Sequence, residues 1–135
     1  MDVVTAMSAF DAALQIDPRN ADAAYERGRI LLKIGEPGKA IADFTTAVLA
    51  KPSLGRAYAK RGEAKIILKN WLGAFLDFDQ AVAASPDDYE VFVVRATYKF
   101  KRGELAGARA DLEAAITLAD PATAVSLRAM LDRLK

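Results

Sequence analysis

The chain has 135 residues, 53% of them apolar, which is enough to bury the core of one domain of ordinary size. Nineteen basic against eighteen acidic residues leave a formal charge of +1, so no global field draws the protein to nucleic acid or to an anionic membrane. Cysteine and histidine are both absent, which excludes disulfides, Cys/His metal sites, thiol nucleophiles and every histidine-based triad.

No stretch approaches the roughly 18 uninterrupted apolar residues of a membrane span, and the opening "MDVVTAMSAF" lacks the basic start of a signal peptide. The expectation is a soluble protein without cofactor or membrane insertion. Lack of cysteine suits cytoplasm and periplasm alike; the cytoplasm is the preferred expectation.

In chain order, residues 2–20 form the first predicted helix, with Ala6, Phe10 and Ala13 on one face and Pro18 at its end. A second helical run, "AAYERGRILLKI", carries Gly28 in its middle, where a larger side chain would push a neighbouring helix away. Gly35 suits the left-handed end of that helix, and Pro37 the first position of the next, which bears Ala40, Phe44 and Ala47 before Pro52. The phrase "AIADFTTAVLAKP" then returns 34 residues later as "AFLDFDQAVAASP", with Ala74, Phe78, Ala81 and Pro86. Between the two lies "RAYAKRGEAKIIL", with Gly62 in the place of Gly28. Asp87 with Glu90 reads as a capping box ahead of "VFVVRATYKF", where Ala96 takes the glycine's place, and Gly103 ends that helix. Ala108, Leu112 and Ala115 follow, and Pro121 arrives one residue late. Asp120 and Pro121 start a last helix. Its Val125, Leu127, Met130, Leu131 and Leu134 are expected to cover the preceding unit, leaving Ser126, Arg128, Asp132, Arg133 and Lys135 in solvent.

A period of 34 residues with small, aromatic and proline positions in this arrangement resembles the tetratricopeptide repeat. The resemblance implies an all-α chain of antiparallel helix-turn-helix repeats stacked in a right-handed superhelix, an α-solenoid. Full units are placed at 21–54, 55–88 and 89–121, the second helix of a partial unit at 2–20, and a capping helix at 122–135. Lys69 stands where a turn glycine is usual, Pro37 replaces the bulky residue that Trp71 and Leu105 supply, and Ala96 replaces Gly. One unit cannot bury its own apolar face, so recurrence of the phrase is what builds the core.

An arginine in each first helix is followed at equal spacing by an aspartate in the second: Arg27 and Asp43, Arg61 and Asp77, Arg95 and Asp111. They are expected to be structural ion pairs rather than anion binders. The resemblance further implies that first helices line a concave groove. The groove residues are then Tyr25, Arg29 and Leu32 from the first unit, Arg56, Ala59, Glu63 and Ile66 from the second, and Val93, Thr97 and Phe100 from the third. Tyr25, Ala59 and Val93 make one apolar row and Leu32, Ile66 and Phe100 another, which either receive a peptide or amphipathic helix of a partner protein or simply pack against neighbouring helices.

Relatives that hold the carboxylate of chaperone C-termini do so with lysine, asparagine and arginine; the matching places here carry Tyr25, Arg29, Lys60, Glu90 and Val94, which disfavours that role. The carboxylate pairs Asp77/Asp79, Asp87/Asp88 and Asp111/Glu113 are too close along a helix, or too near a helix start, to argue for acid/base catalysis, so no enzyme is expected. Lys99, Lys101 and Arg102, interleaved with Tyr98 and Phe100, are too few to argue for nucleic acid. An interaction module is the expectation, with self-association or docking through an N-terminal helix that exposes some of Val3, Val4 and Met7 as the alternative.

Overall fold

Short polar or proline-bearing segments set every helix end in the computed structural model, which describes residues 2–134. The helices are α1 (Val3–Ile16), α2 (Ala21–Lys33), α3 (Pro37–Ala50), α4 (Gly55–Ile67), α5 (Trp71–Ala84), α6 (Tyr89–Lys101), α7 (Leu105–Leu118) and α8 (Pro121–Asp132), with no strand among the described residues. Asp2, Asn20, Asn70 and Asp120 each cap a helix by accepting a hydrogen bond from the backbone N–H three residues on. Gly35 and Gly103 end α2 and α6 at φ of +85° and +80°, and Lys69 adopts the same left-handed conformation at φ of +64° after α4. That costs a side-chain-bearing residue roughly 1 kcal/mol or more relative to glycine.

The cap ahead of α6 is Asp88 and not Asp87: Asp88 Oδ1 accepts from Glu90 N at 3.0 Å, and its carboxylate also holds Arg56. The expected capping box therefore does not form: the helix starts at Tyr89, which puts Glu90 at its second position and the apolar Val91 at its third.

Each first helix crosses its second helix very closely. A Cβ built on Gly28 would sit 2.7 Å from Phe44 Cε1, and one on Gly62 2.5 Å from Phe78 Cε1, so both glycines are needed for the aromatic ring to lie across the helix backbone. In the third pair Ala96 meets the slimmer Leu112. Ala40, Ala47, Ala74, Ala81, Ala108 and Ala115 are all buried beside these rings, along with Phe44 and Phe78. Successive units join through a shared aromatic column: Phe78 stacks on Tyr98 at 5.1 Å, with Phe75 edge-on at 5.3 Å.

The arginine and aspartate series forms a ladder through this stack. Arg27, Arg61 and Arg95 each fork onto Asp43, Asp77 and Asp111 with two hydrogen bonds of 2.8–3.0 Å, and the three aspartates are buried. The remaining terminal nitrogen of each guanidinium donates backward to the preceding unit: to Asp11 at 2.9 Å, to Thr45 Oγ1 at 3.2 Å and to Asp79 at 3.0 Å. One side chain thus closes its own helix pair and fastens it to the pair before. Lys65 and Lys99 add a second cation to Asp77 and Asp111, whereas the corresponding residue near Asp43 is the apolar Leu31.

At the N-terminal end α1 has no buried residue; Val3 and Val4 are exposed. Of the residues named as exposed in part, these two are in solvent and Met7 is half-buried against Leu31, Ala40 and Phe44. At the other end Leu127 is buried and Leu131 and Leu134 pack against Ala96, Leu112 and Ala115. Val125 does not cover the third unit as expected: it is 64% exposed, pointing away from α7. Lys135 lies outside the described residues.

Replacing Arg27 by Met leaves Asp43 buried without a cation, whereas Arg61→Met leaves Asp77 with Lys65. The expected destabilisation is about 3 kcal/mol for Arg27→Met and clearly less for Arg61→Met, read from urea unfolding midpoints. Equal losses would mean that the lysine does not share the aspartate's charge.

Candidate functional site: the face of the first helices

Curvature follows from which helices touch. Neighbouring first helices α2 and α4, and α4 and α6, approach one another, while the second helices α3, α5 and α7 do not touch each other among the described residues. The first helices therefore form the inner face and the second helices the outer one. α8 rests on α7 without approaching α6 closely, and the gap is a depression of about 270 Å³ between them.

This gap is lined mostly by apolar side chains. Thr97 and Phe100 of α6 and Met130 and Leu134 of α8 wall it, Ala96 and Leu112 floor it, and Lys101 and Arg133 stand at its rim. Phe100 is 50% exposed, a large apolar surface held open at the mouth. Met130, Arg133 and Leu134 were not expected in the site, since α8 was read only as cover for the third unit. The arginine followed by a small residue in Arg27–Gly28, Arg61–Gly62, Arg95–Ala96 and Arg128–Ala129 is the signal that aligns α8 with the other first helices.

Toward the N-terminal half the inner face changes character. Tyr25, Arg56 and Ala59 surround a shallow depression of about 30 Å³ together with Lys60, Glu90, Val91 and Val94. Ala59 does not present surface to a ligand as its row required: it is 3% exposed, packed against Ala81 and Val91. The charges here neutralise one another. Arg56 binds Asp88 at 2.6 Å and Glu90 at 3.4 Å, Arg29 binds Glu26 at 3.1 Å, and Lys60 binds Glu63 at 3.3 Å. Burial raises the carboxyl pKa of Asp88, but the hydrogen bonds from Arg56 and the Glu90 amide outweigh it and hold the group below the usual range. A partner carboxylate would have to displace these internal partners, so the places matching a chaperone-type carboxylate clamp offer no free cation.

Among the other predicted residues, Leu32 is half-buried against Leu31, Ala40 and Phe44. Ile66 and Val93 are half-buried, and Thr97 donates to the carbonyl of Val93 at 2.8 Å. The second apolar row thus runs from a largely packed Leu32, through Ile66, to a largely free Phe100.

The carboxylates and cations considered for catalysis or nucleic acid are engaged in the same internal manner. Asp79 pairs with Arg95, Lys99 with Asp111, and Arg102 with Glu104 while its guanidinium covers the Phe75 ring at 4.4 Å. Lys101 lies over the Tyr98 ring at 4.9 Å. No three carboxylates converge as a metal would require, and no helix is long and apolar enough to cross a membrane, among the described residues.

Burial and the neighbouring Glu63, whose Oε2 accepts from Tyr98 Oη at 3.4 Å, push the Tyr98 phenol up from 10.0 to about 12. A folded value above the unfolded one means that the neutral phenol stabilises the fold fully below pH 10 and that this contribution is lost as pH rises through 12. Burial raises the Tyr25 phenol as well, so two of the four tyrosines should ionise late in an ultraviolet titration, Tyr98 near pH 12. Tyr98→Phe should remove the phase near pH 12 and leave the Tyr25 contribution, and a titration curve that keeps the full amplitude at pH 12 would refute the assignment.

A family model described as tetratricopeptide repeat matches residues 9–42, a window that starts in α1, spans α2 and ends in α3. Nothing among the curated proteins matches the chain. Solved structures do. MamA superposes with a TM-score of 0.69 at 21% identity over 83% of this chain, which spans 66% of that structure, just under two thirds. The first TPR of Spaghetti (RPAP3), bound to the HSP90 peptide SRMEEVD, gives 0.74 at 24% identity over 84% of this chain and 91% of that one. The TPR2B domain of yeast Sti1, in its pHsp70 complex, gives 0.73 at 24% identity over the same shares, 84% and 91%. At these identities the likeness speaks for the fold, a right-handed solenoid of helix pairs. Residues 9–42 thus match a tetratricopeptide repeat, and the 34-residue recurrence of the glycine, aromatic and proline positions carries the same pattern through the helix pairs that follow.

Proposed function

We propose that the chain is a non-enzymatic protein–protein interaction module that holds a segment of a partner protein on the face of its first helices. The observation that carries this reading is the apolar gap between α6 and α8, with Phe100 half exposed at its mouth. Its volume of about 270 Å³ takes a large aliphatic or aromatic side chain, and Lys101 and Arg133 at the rim favour an acidic residue next to that anchor. Residues of the predicted row then extend the contact from Phe100 to Ile66, so an extended peptide or one turn of an amphipathic helix fits. The resemblance to peptide-bound relatives supports the same mode of use. The chaperone carboxylate ligand does not carry over, because Arg29, Arg56 and Lys60 are already paired.

A second reading, that the chain associates through α1, is favoured by one observation: Val4 is 76% exposed on a helix without any buried residue. Val4→Glu should then abolish a concentration-dependent increase in sedimentation coefficient; a sedimentation coefficient independent of concentration removes this reading.

The groove reading is tested by capture from source-cell lysate on the immobilised protein and its Phe100→Glu and Ile66→Glu variants, with circular dichroism to confirm the fold. Loss of a captured protein by at least about tenfold in the Phe100 variant is expected, with a smaller loss for half-buried Ile66. Capture indifferent to both substitutions would show that this face is packing surface only.

A further inference from the structure

Helices α2, α4 and α6 each have a second helix of their own unit lying across them; α8 has none among the described residues. Yet α8 carries the contact residues for one. Buried Ala124 occupies the place of buried Ala23, Ala57 and Val91 at the start of the other first helices. Counting four residues on, as from Ala23 to Arg27, Ala57 to Arg61 and Val91 to Arg95, reaches Arg128. The next residue, Ala129, stands where Gly28, Gly62 and Ala96 receive the large residue of the second helix.

Both residues lack the partner that their counterparts have. Arg27, Arg61 and Arg95 each fork onto an aspartate; Arg128 is exposed and has no ion pair among the described residues. Gly28, Gly62 and Ala96 are buried, whereas Ala129 is exposed, flanked by exposed Val125.

The size of the small residue also selects what can cross it. Glycine admits phenylalanine in the first two pairs, where a Cβ would collide with the ring, and alanine goes with Leu112 in the third. Ala129 therefore calls for leucine.

We propose that the outer face of α8 is a docking site for an amphipathic helix presented by another polypeptide, carrying alanine, aspartate, leucine and alanine at the spacing of Ala108, Asp111, Leu112 and Ala115. The aspartate forks onto Arg128 and the leucine crosses Ala129. Charge and size both argue against α1 of a second copy as the occupant: it has Ala9 where Asp43, Asp77 and Asp111 stand, and Phe10 where leucine is required. Asp132 takes the place of Lys65 and Lys99, where Asp43 has the neutral Leu31, so Arg128 is the one cation that would hold the incoming aspartate and it must outweigh the like charge of Asp132. This site is separate from the inner face, and it stands or falls independently of the groove.

The test titrates three synthetic peptides into the intact chain and follows binding by fluorescence anisotropy and the Ala129 methyl resonance. They reproduce residues 104–119 (aspartate and leucine), 36–51 (aspartate and phenylalanine) and 2–17 (alanine and phenylalanine). Short helices are marginal in isolation, so ratios of affinity are compared rather than absolute values. The 104–119 peptide should bind best and shift Ala129. Arg128→Ala should weaken it by about tenfold or more, and Arg128→Lys should weaken it too because the fork is lost. In Ala129→Gly the 36–51 peptide should gain. Both positions are exposed, and circular dichroism verifies that the variants stay folded. Failure of the 104–119 peptide to bind, affinity unchanged in both Arg128 variants, or preference for the 2–17 peptide would each overturn the proposal.

Discussion

A single guanidinium per unit ties the architecture together. Its fork fixes the angle between two helices of one unit, and its third nitrogen fixes that unit to the one before. This works only because the helices cross closely enough for the fork to reach, and that closeness is set by Gly28, Gly62 and Ala96 beneath Phe44, Phe78 and Leu112. Packing and charge are therefore one constraint. Enlarging the small residue would both strain the side chain that crosses it and lengthen the ion pair, while losing Arg27 would strand the buried carboxylate of Asp43 in the crossing. The aromatic column of Phe75, Phe78 and Tyr98 adds a second tie between the middle and third units, which the first pair does not have in that form.

Much of this was legible in the sequence because the repeat period turns isolated residues into registers. Gly28 and Gly62 as contact points, Gly35 and Gly103 as helix ends, and the arginine–aspartate pairs all follow from their recurrence and from what a helix does with those residue types. What the period could not convey is the state of each side chain within its register. Ala59 shares a register with Tyr25 and Val93 but is too short to rise from the floor of the groove. Which of Val3, Val4 and Met7 is covered was open in the sequence, and it is Met7 that meets Leu31 and Phe44. Asp88 displaces Asp87 as the cap because the helix begins one residue later than the spacing to Glu90 suggested. Exposure depends on neighbours two helices away, and those are invisible to a pattern read along one strand of sequence.

The inner face is uneven for a related reason. In its N-terminal half, Arg29, Arg56 and Lys60 face carboxylates of their own or the next first helix, so the charges are spent internally. Between α6 and α8 the third unit is one residue short before α8, α8 sits off α6, and the apolar side chains that would interlock are left apart around Phe100. The same residues that elsewhere weld one unit to the next thus become available surface. Sequence reasoning pointed to Phe100 but not to Met130 and Leu134 opposite it, since an end helix reads as cover until its displacement is seen.

The backward contact of each arginine differs in kind along the stack. Arg27 and Arg95 reach carboxylates, Asp11 and Asp79, that are largely exposed, whereas Arg61 reaches the neutral hydroxyl of Thr45. Exposed ion pairs are screened by dissolved salt, and a hydrogen bond to a hydroxyl is much less so. Ionic strength therefore acts on the joints made by Arg27 and Arg95 and spares the one made by Arg61 between them. Salt thus reaches alternate joints of the stack, at Asp11 and Asp79, and passes over the hydroxyl-bonded one at Thr45.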